Sequence, residues 1–314
     1  MSFIAAIAPL NLDLLYSGLP RVPHLGEEVY SKGFSMQVGG GPAGSLIVAR
    51  KLGLPVRLGT FLSNDNISHI IRGMLDGYNL EYINIYKGEE SPIMVTSIAS
   101  FPEDRYFLTY KPEIVDGNLN FEEAYKILKG AKVCFGFLGN NDLLKQLKKD
   151  GTEIIFDTGW NDNLHVDNLK SILKYVSVFT PNDKEALKMT ETSNLYDALD
   201  TLSKYTECPV ITLGEMGCVS KLNKDIIYCP PLKGIKAVDT TGAGDNFLSG
   251  IAFGLYNNRP LDECMKIGNI IGGISTTSLG CCSTDITLNK IEALLPEIEV
   301  EIISPESLKG ISTY

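Results

Sequence analysis

Apolar positions along the chain follow two periods. Phe3 to Ala8, Val56 to Phe61, Lys132 to Phe135, Glu153 to Phe156 and Val176 to Phe179 are short β-type runs, while Ser45 to Leu52, Asn66 to Met74, Phe121 to Leu128 and Asp142 to Lys149 have helical spacing. The two kinds alternate over most of the length, which predicts an α/β fold: a central, mainly parallel β-sheet with helices on both faces. Ile93 to Ala99 and Arg105 to Tyr110 break the alternation around Pro102-Glu103-Asp104, and read as an antiparallel hairpin outside that sheet, suited to a lid or a dimer surface. Val210 to Val219 reads as strand, glycine turn and strand, and a last long helical segment runs from Asp262 to Ser278, ending at Gly280. No linker or repeat divides the chain, so residues 1–314 are expected to form a single domain, with lid strands drawn from about 10–40 and 90–112.

The most informative stretch is Ala237 to Phe247. A β-type run from Gly234 to Val238 leads through Gly242 and Gly244 into a helix whose apolar stripe is Phe247, Leu248, Ile251, Ala252, Leu255 and Tyr256. The first turn of a helix has N–H groups without internal partners and about half a positive charge, so it attracts anionic oxygens. Asp245 is a carboxylate beside that anion site. A phosphoryl-transfer centre needs both, the N–H groups for the transferred group and a base for the attacking hydroxyl. An Asp that only favours the helix dipole explains the same residue without chemistry.

Other polar residues fall just past strand ends, where open α/β sheets bind ligands. Asn11 and Asp13 follow the first run, and Asp157-Thr158-Gly159-Trp160-Asn161 follows Phe156. Gly39, Gly41 and Gly44 satisfy Gly-x-Gly-x-x-Gly, with Asp65 further on, so a dinucleotide site is formally present. Pro42 argues against it by removing an N–H from the turn, and a loop on the substrate side fits better. Asn182 and Glu185 sit at a helix start after Pro181, as a capping box would.

Composition narrows the classes further. The net charge is −10, from 28 basic and 38 acidic residues without a basic run, which argues against a nucleic-acid partner. The apolar start at Met1 is too short to span a bilayer and reads as a core strand, so no membrane partner and a cytoplasmic location are expected. The seven cysteines have no Cys-x-x-Cys spacing and read as buried hydrophobes. There is no Gly-Lys dipeptide for a Walker A loop, and His24, His69 and His165 are isolated, so zinc and serine hydrolysis have no support.

Asp239-Thr240-Thr241-Gly242-Ala243-Gly244-Asp245-Asn246-Phe247 closely resembles the C-terminal signature of the ribokinase-like carbohydrate kinases, the PfkB family. Gly39 to Gly53 has that family's N-terminal glycine spacing, Asn182-Asp183-Lys184-Glu185 its Asn-x-x-Glu, and Thr212-Leu213-Gly214 to Gly217 its nucleotide turn. The resemblance implies a ribokinase-like fold and an ATP-dependent phosphotransferase acting on a hydroxymethyl group of a small sugar or sugar derivative. It makes Asp245 the base, with Gly242, Ala243 and Gly244 in the anion hole. Asn11, Asp13, Gly40, Gly41, Gly44 and Asp157 would bind the sugar, and Asn182, Thr212, Gly214, Gly217 and Asn269 the nucleotide. Asn182 and Glu185 would position Mg²⁺, and Asp239, Thr241, Ser278 and Gly280 a monovalent cation such as K⁺. The hairpin would be the substrate lid and a surface for a homodimer. A nucleoside kinase of the same fold, an NAD-binding dehydrogenase and a non-catalytic sugar sensor are the alternatives.

Two departures from the family pattern lie on the acceptor side. Gly44 stands where the family has Asn, which deletes a polar contact and is expected to open space. Trp160 and Asn161 stand where sugar kinases of the family often have Arg, so Trp160 is expected to offer a ring an apolar face. Asp13 should still demand vicinal hydroxyls of an acceptor bulkier than ribose, such as a hexose derivative or a nucleoside.

Overall fold

The computed structural model describes residues 2–101, 105–112, 120–137, 141–283 and 285–311. Its strands are β1 (Phe3–Ile7), β2 (Asn11–Ser17), β3 (Gly33–Gly39), β4 (Val56–Thr60), β5 (Glu81–Asn84), β6 (Met94–Ser100), β7 (Arg105–Tyr110), β8 (Ala131–Phe135), β9 (Glu153–Phe156), β10 (Val178–Phe179), β11 (Cys208–Thr212), β12 (Cys218–Leu222), β13 (Asp225–Cys229) and β14 (Glu301–Ile303). A ten-stranded sheet has the order β14-β13-β12-β11-β10-β9-β8-β1-β4-β5. From β11 to β5 the neighbours are parallel, and β12, β13 and β14 close that edge antiparallel. β1 lies inside the sheet and is nearly wholly buried, so its continuous apolar run needs no alternation.

Helices cover both faces and create two cores. On one side Leu46, Ile47, Ile71, Ile251 and Ile270 pack over the sheet; on the other Leu128, Leu144, Leu173, Ala186 and Leu199 do. Helices Ala243–Tyr256 and Leu261–Ser275 approach closely because small residues face each other. A Cβ on Gly250 would stand 2.6 Å from the Gly268 Cα. This contact fixes the helix that carries Asp245. Among the described residues, no helix is long and apolar enough to cross a membrane.

The expected hairpin forms, with β6 antiparallel to β7 from Val95↔Tyr110 to Ser100↔Arg105; its turn at Pro102-Glu103-Asp104 lies outside the described residues. It does not stand alone. β2 pairs parallel with β6 and antiparallel with β3, making a second sheet in the order β3-β2-β6-β7. Asn11 and Asp13 therefore sit on a strand of this smaller sheet, not on a loop after β1.

One expected strand does not form. Gly234 to Val238 is irregular, because the N–H groups of Val238 and Asp239 both go to the Thr276 carbonyl, at 2.7 and 3.0 Å, and not into a ladder. Among the described residues its β-type composition has no neighbouring strand edge to satisfy.

Candidate active site

The glycine turn before helix Ala243–Tyr256 is built for close approach. Gly242 has φ 74°, and a Cβ there would stand 2.5 Å from the Cys281 sulfur, so both conformation and space require glycine. Buried Asn246 pins the turn by donating from Nδ2 to the carbonyls of Gly242 and Cys281, each at 2.8 Å. Among the described residues no side chain caps the first turn; the Ala243 N–H goes to the Thr240 carbonyl at 3.2 Å, and the remaining N–H groups suit an anion. Asp245 is in that turn, its backbone oxygen held by the hydroxyls of Ser45 at 2.7 Å and Ser249 at 2.9 Å. Ser45 belongs to helix Pro42–Lys51, so the two glycine-led helix starts are tied together at Asp245. A Cβ on Gly41 would be 3.8 Å from Asp245 Oδ1. Burial pushes the Asp245 carboxyl up to about 6.

On one side of this turn lies a cavity of about 500 Å³. It brings Thr212, Gly214, Gly217 and Asn269 together with Ala243 and Gly244. Gly217 has φ 89°, and a Cβ there would collide with the Cys229 carbonyl. Asn269 spends its amide on the carbonyls of Cys229 and Pro230, both at 3.0 Å, and so shapes the wall. Asn182 is outside this lining but pairs with Thr212 in an isolated parallel bridge. The sequence reading missed Phe247, Gly272 and Gly273 as walls. The signal was the adjacent glycines inside a helical run, which cost helix stability unless space is needed.

On the other side are the glycines after β3. Asn11 donates to Asp13 Oδ1 at 2.6 Å and to Thr96 Oγ1 at 2.8 Å, while its own Oδ1 is buried without a partner among the described residues. Thr96 in turn meets Thr109 at 3.0 Å, so β2, β6 and β7 jointly build a polar floor that periodicity could not reveal. A Cβ on Gly39 would collide with the Asp13 carboxylate, and Gly40 has φ 107° with the Pro9 carbonyl close by. Burial, with the Asp245 charge, pushes Asp13 up to about 7, against the Asn11 hydrogen bond. Asp157 is also pushed up to about 7, by burial first and then by the carboxylates of Glu185 and Asp245.

The first of the two expectations drawn from the departures needs correction. Gly44 does not open space: a Cβ there would stand 2.9 Å from the Cys281 sulfur and 3.8 Å from that of Cys282, so the two cysteines fill the volume. Trp160 is 61% exposed, and the Lys188 ammonium lies 4.4 Å from its ring centroid, so this face carries a cation. The dinucleotide fingerprint also fails. Asp65 caps helix Asn66–Gly77 by accepting from the N–H groups of Ile67 and Ser68, a role that uses its carboxylate structurally.

Asn182 and Glu185 form a complete capping box: Asn182 Oδ1 accepts from the Glu185 N–H, and Glu185 Oε2 from the Asn182 N–H, both at 2.9 Å. Glu185 is raised by burial and lies within electrostatic reach of Asp157. Among the described residues, no group of three or more His, Cys, Asp or Glu side chains could hold a metal ion.

The Asp239 loop is arranged differently from the expected cation site. Asp239 Oδ1 accepts from the Thr241 N–H at 2.9 Å, the Thr241 hydroxyl at 2.7 Å and Arg105 Nη1 at 2.5 Å; Oδ2 accepts from the Gly280 N–H at 2.8 Å. Gly280 therefore turns its N–H, not its carbonyl, to Asp239. Burial raises the Asp239 carboxyl, but the hydrogen bonds from Gly280, Thr241 and Arg105 bring it below the usual range. Arg105 was invisible as a site residue in the sequence, being separated from Asp239 by 134 positions.

Residues 17–288 match the model of the pfkB family carbohydrate kinases. The chain belongs to this family. It is a carbohydrate kinase with a ribokinase-like fold. The ribokinase of Mus musculus is 26% identical over 289 residues, covering 86% of this chain and 88% of that protein. Among solved structures, the chain is similar to Arabidopsis thaliana ribokinase complexed with ribose and ATP, at a TM-score of 0.75 and 20% identity, covering 94% and 99% of the two chains. It is also similar to the Burkholderia thailandensis nucleoside kinase in complex with inosine, at 0.71 and 16%, covering 94% and 97%. Family membership removes the dehydrogenase from consideration.

Proposed function

We propose that this pfkB family kinase transfers the γ-phosphoryl group of ATP to a hydroxymethyl group of a small sugar or sugar derivative, with Asp245 as general base. The observation that carries the proposal is the place of Asp245. Its helix start contributes Ala243 and Gly244 to the 500 Å³ cavity, and its carboxylate faces Gly41 on the Asp13 side. Thr212, Gly214, Gly217 and Asn269 surround the nucleotide in that cavity, while Asn11, Asp13, Gly40 and Gly41 hold the acceptor.

The acceptor hydroxyl gives its proton to Asp245 as its oxygen attacks the γ-phosphorus. The bond from that phosphorus to the β,γ-bridging oxygen breaks, and ADP leaves. The first-turn N–H groups of Gly242, Gly244 and Asp245 receive the charge on the transferred group, that of Ala243 being donated to the Thr240 carbonyl, without reorganisation at the moment of reaction. A carboxyl raised to about 6 is mostly ionised at neutral pH yet basic enough to take a proton, which suits a general base. Asn182 and Glu185 would hold Mg²⁺ with its waters, and the ion would screen the phosphate charges. Asp13, raised to about 7, can donate to one sugar oxygen when protonated and accept from others when ionised. The unpartnered Oδ1 of Asn11 supplies a further acceptor for a hydroxyl. Exposed Phe34, Met36, Tyr106, Phe107 and Leu108 on the second sheet support pairing of two copies through the lid.

A nucleoside acceptor is the second reading, favoured by the similarity to the Burkholderia nucleoside kinase. ADP release measured over pentoses, hexoses, sugar acids, sugar phosphates and nucleosides tests the proposal. We expect one sugar or nucleoside class to be turned over, with kcat/KM for it falling in Asp13→Ala. No turnover of any acceptor, or an Asp13→Ala variant equal to the parent for every acceptor, contradicts it.

A further inference from the structure

The loop that begins the anion-binding turn carries a buried carboxylate, Asp239, whose side chain is 2% exposed. Its charge is met from a distant part of the fold. Arg105, the first residue of β7 in the second sheet, reaches across with Nη1 to Asp239 Oδ1 at 2.5 Å and to Thr241 Oγ1 at 2.9 Å, and with Nη2 to Thr240 Oγ1 at 2.7 Å. The guanidinium thus contacts three successive residues of the loop, and its own side chain is 23% exposed.

A monovalent cation does not fit the loop in this arrangement. The Asp239 oxygens already accept four hydrogen bonds between them, the Thr241 hydroxyl is shared between Asp239 and Arg105, and Gly280 presents an N–H. A second positive charge would meet the guanidinium at hydrogen-bond range. The fixed fork of a guanidinium can bridge a carboxylate and two hydroxyls at once, which a spherical ion does only with oxygen ligands on all sides.

We propose that Arg105 is the resident cation of the Asp239 loop: a positioning residue that neutralises Asp239, orders Thr240 and Thr241 ahead of the Gly242 turn, and makes the enzyme independent of K⁺. The charge arrives on the lid strand, so order in the anion-binding turn is coupled to the placement of the second sheet. Removing the guanidinium leaves a buried carboxylate without its counter-charge, and a small cation can then enter.

The test compares the wild type with Arg105→Gln and Arg105→Lys in KCl against choline chloride at equal ionic strength. Thermal melting of each protein without ATP or acceptor is the first readout, and ADP release with the best acceptor is the second. Only the rate readout rests on the kinase assignment, so a failure of that assignment leaves the melting result interpretable. The expected wild-type melting temperature is the same in both salts, with a turnover change below about twofold. Arg105→Gln is expected to melt several degrees higher in KCl than in choline chloride, since an ion that binds only the folded state stabilises it. Its turnover should be at least about tenfold lower than wild type in choline chloride and recover in KCl, and Arg105→Lys should remain the less K⁺-responsive variant. If Arg105→Gln folds only in KCl, as followed by circular dichroism, the inference stands. A wild type that gains stability and several-fold rate specifically from K⁺ overturns it, as does an Arg105→Gln variant indifferent to K⁺ in both readouts or unfolded in both salts.

Discussion

Gly41 and Asp245 face each other across the two helix starts, with the Gly41 Cα bare and a would-be Cβ only 3.8 Å from the Asp245 carboxylate oxygen. Gly41 has φ 46°, which disfavours a side chain, and under the proposed function the missing side chain would leave room for the attacking hydroxyl. Gly41→Ala should lower kcat/KM for the acceptor on the order of tenfold or more through strain and lost space, with KM for ATP unchanged. Steady-state kinetics with each substrate varied in turn check this.

The wall of the cavity proposed to hold the nucleotide can be narrowed without disturbing the fold. Gly273 lies within helix Leu261–Ser275 and lines the cavity, and a Cβ there has its nearest neighbours at 3.7 and 4.0 Å. Gly273→Ala should stabilise the protein by up to about 1 kcal/mol by relieving a helical glycine. Gly273→Leu should fold but raise KM for ATP severalfold, because its side chain grows into the space for the nucleotide. Melting curves and ATP titrations separate the two effects.

Glu185→Gln tests the metal assignment. Gln at the third helical position can still serve a capping box, so any stability loss should stay within the range of about 0.5–2 kcal/mol known for lost caps. The Mg²⁺ concentration needed for half-maximal rate should rise much more than stability falls. A large melting shift with an unchanged Mg²⁺ requirement would assign Glu185 to structure alone.

Local chemistry was readable from the sequence where neighbours in the chain make the feature. The Gly242 turn, the Asn182 and Glu185 capping box and the buried run of β1 each depend on residues within a few positions of one another. What needed the structure were contacts closed by the fold. The Cys281 and Cys282 sulfurs occupy the volume beside Gly44, and Arg105 meets Asp239 from the second sheet. Gly234 to Val238 has strand-like composition but no edge to pair with, so composition alone misassigned it. Asn11 and Asp13 were placed at a strand end by local reading, whereas their strand joins β6, more than eighty residues later, at Asn11↔Met94 and Asp13↔Thr96.

Asp13, which is buried, and the half-buried Asp157 and Asp245 are carboxyls whose raised values make stability depend on pH. Asp13 and Asp157 titrate at about 7 and Asp245 at about 6 in the folded chain, against 3.8 ordinarily. Between these values the folded state holds more protons than the unfolded state. Their contribution is therefore fully present below 3.8 and is lost as pH rises through the folded values, by at most about 1.4 kcal/mol per pH unit per group. Without ligands, Asp13→Asn should flatten the fall in melting temperature between pH 4.5 and 7 relative to wild type. An identical slope in both proteins contradicts the burial of this charge.

The most direct measurement is single-turnover phosphoryl transfer by Asp245→Asn, with the acceptor identified from the panel and ATP binding followed in parallel. Removing a general base should slow the chemical step by about 10²–10⁴-fold. The substituted amide keeps the shape of the helix start, so ATP affinity and melting temperature should be retained, with the latter even raised by the loss of a half-buried charge. Near-wild-type turnover by Asp245→Asn, with ATP and acceptor bound normally, would contradict the account.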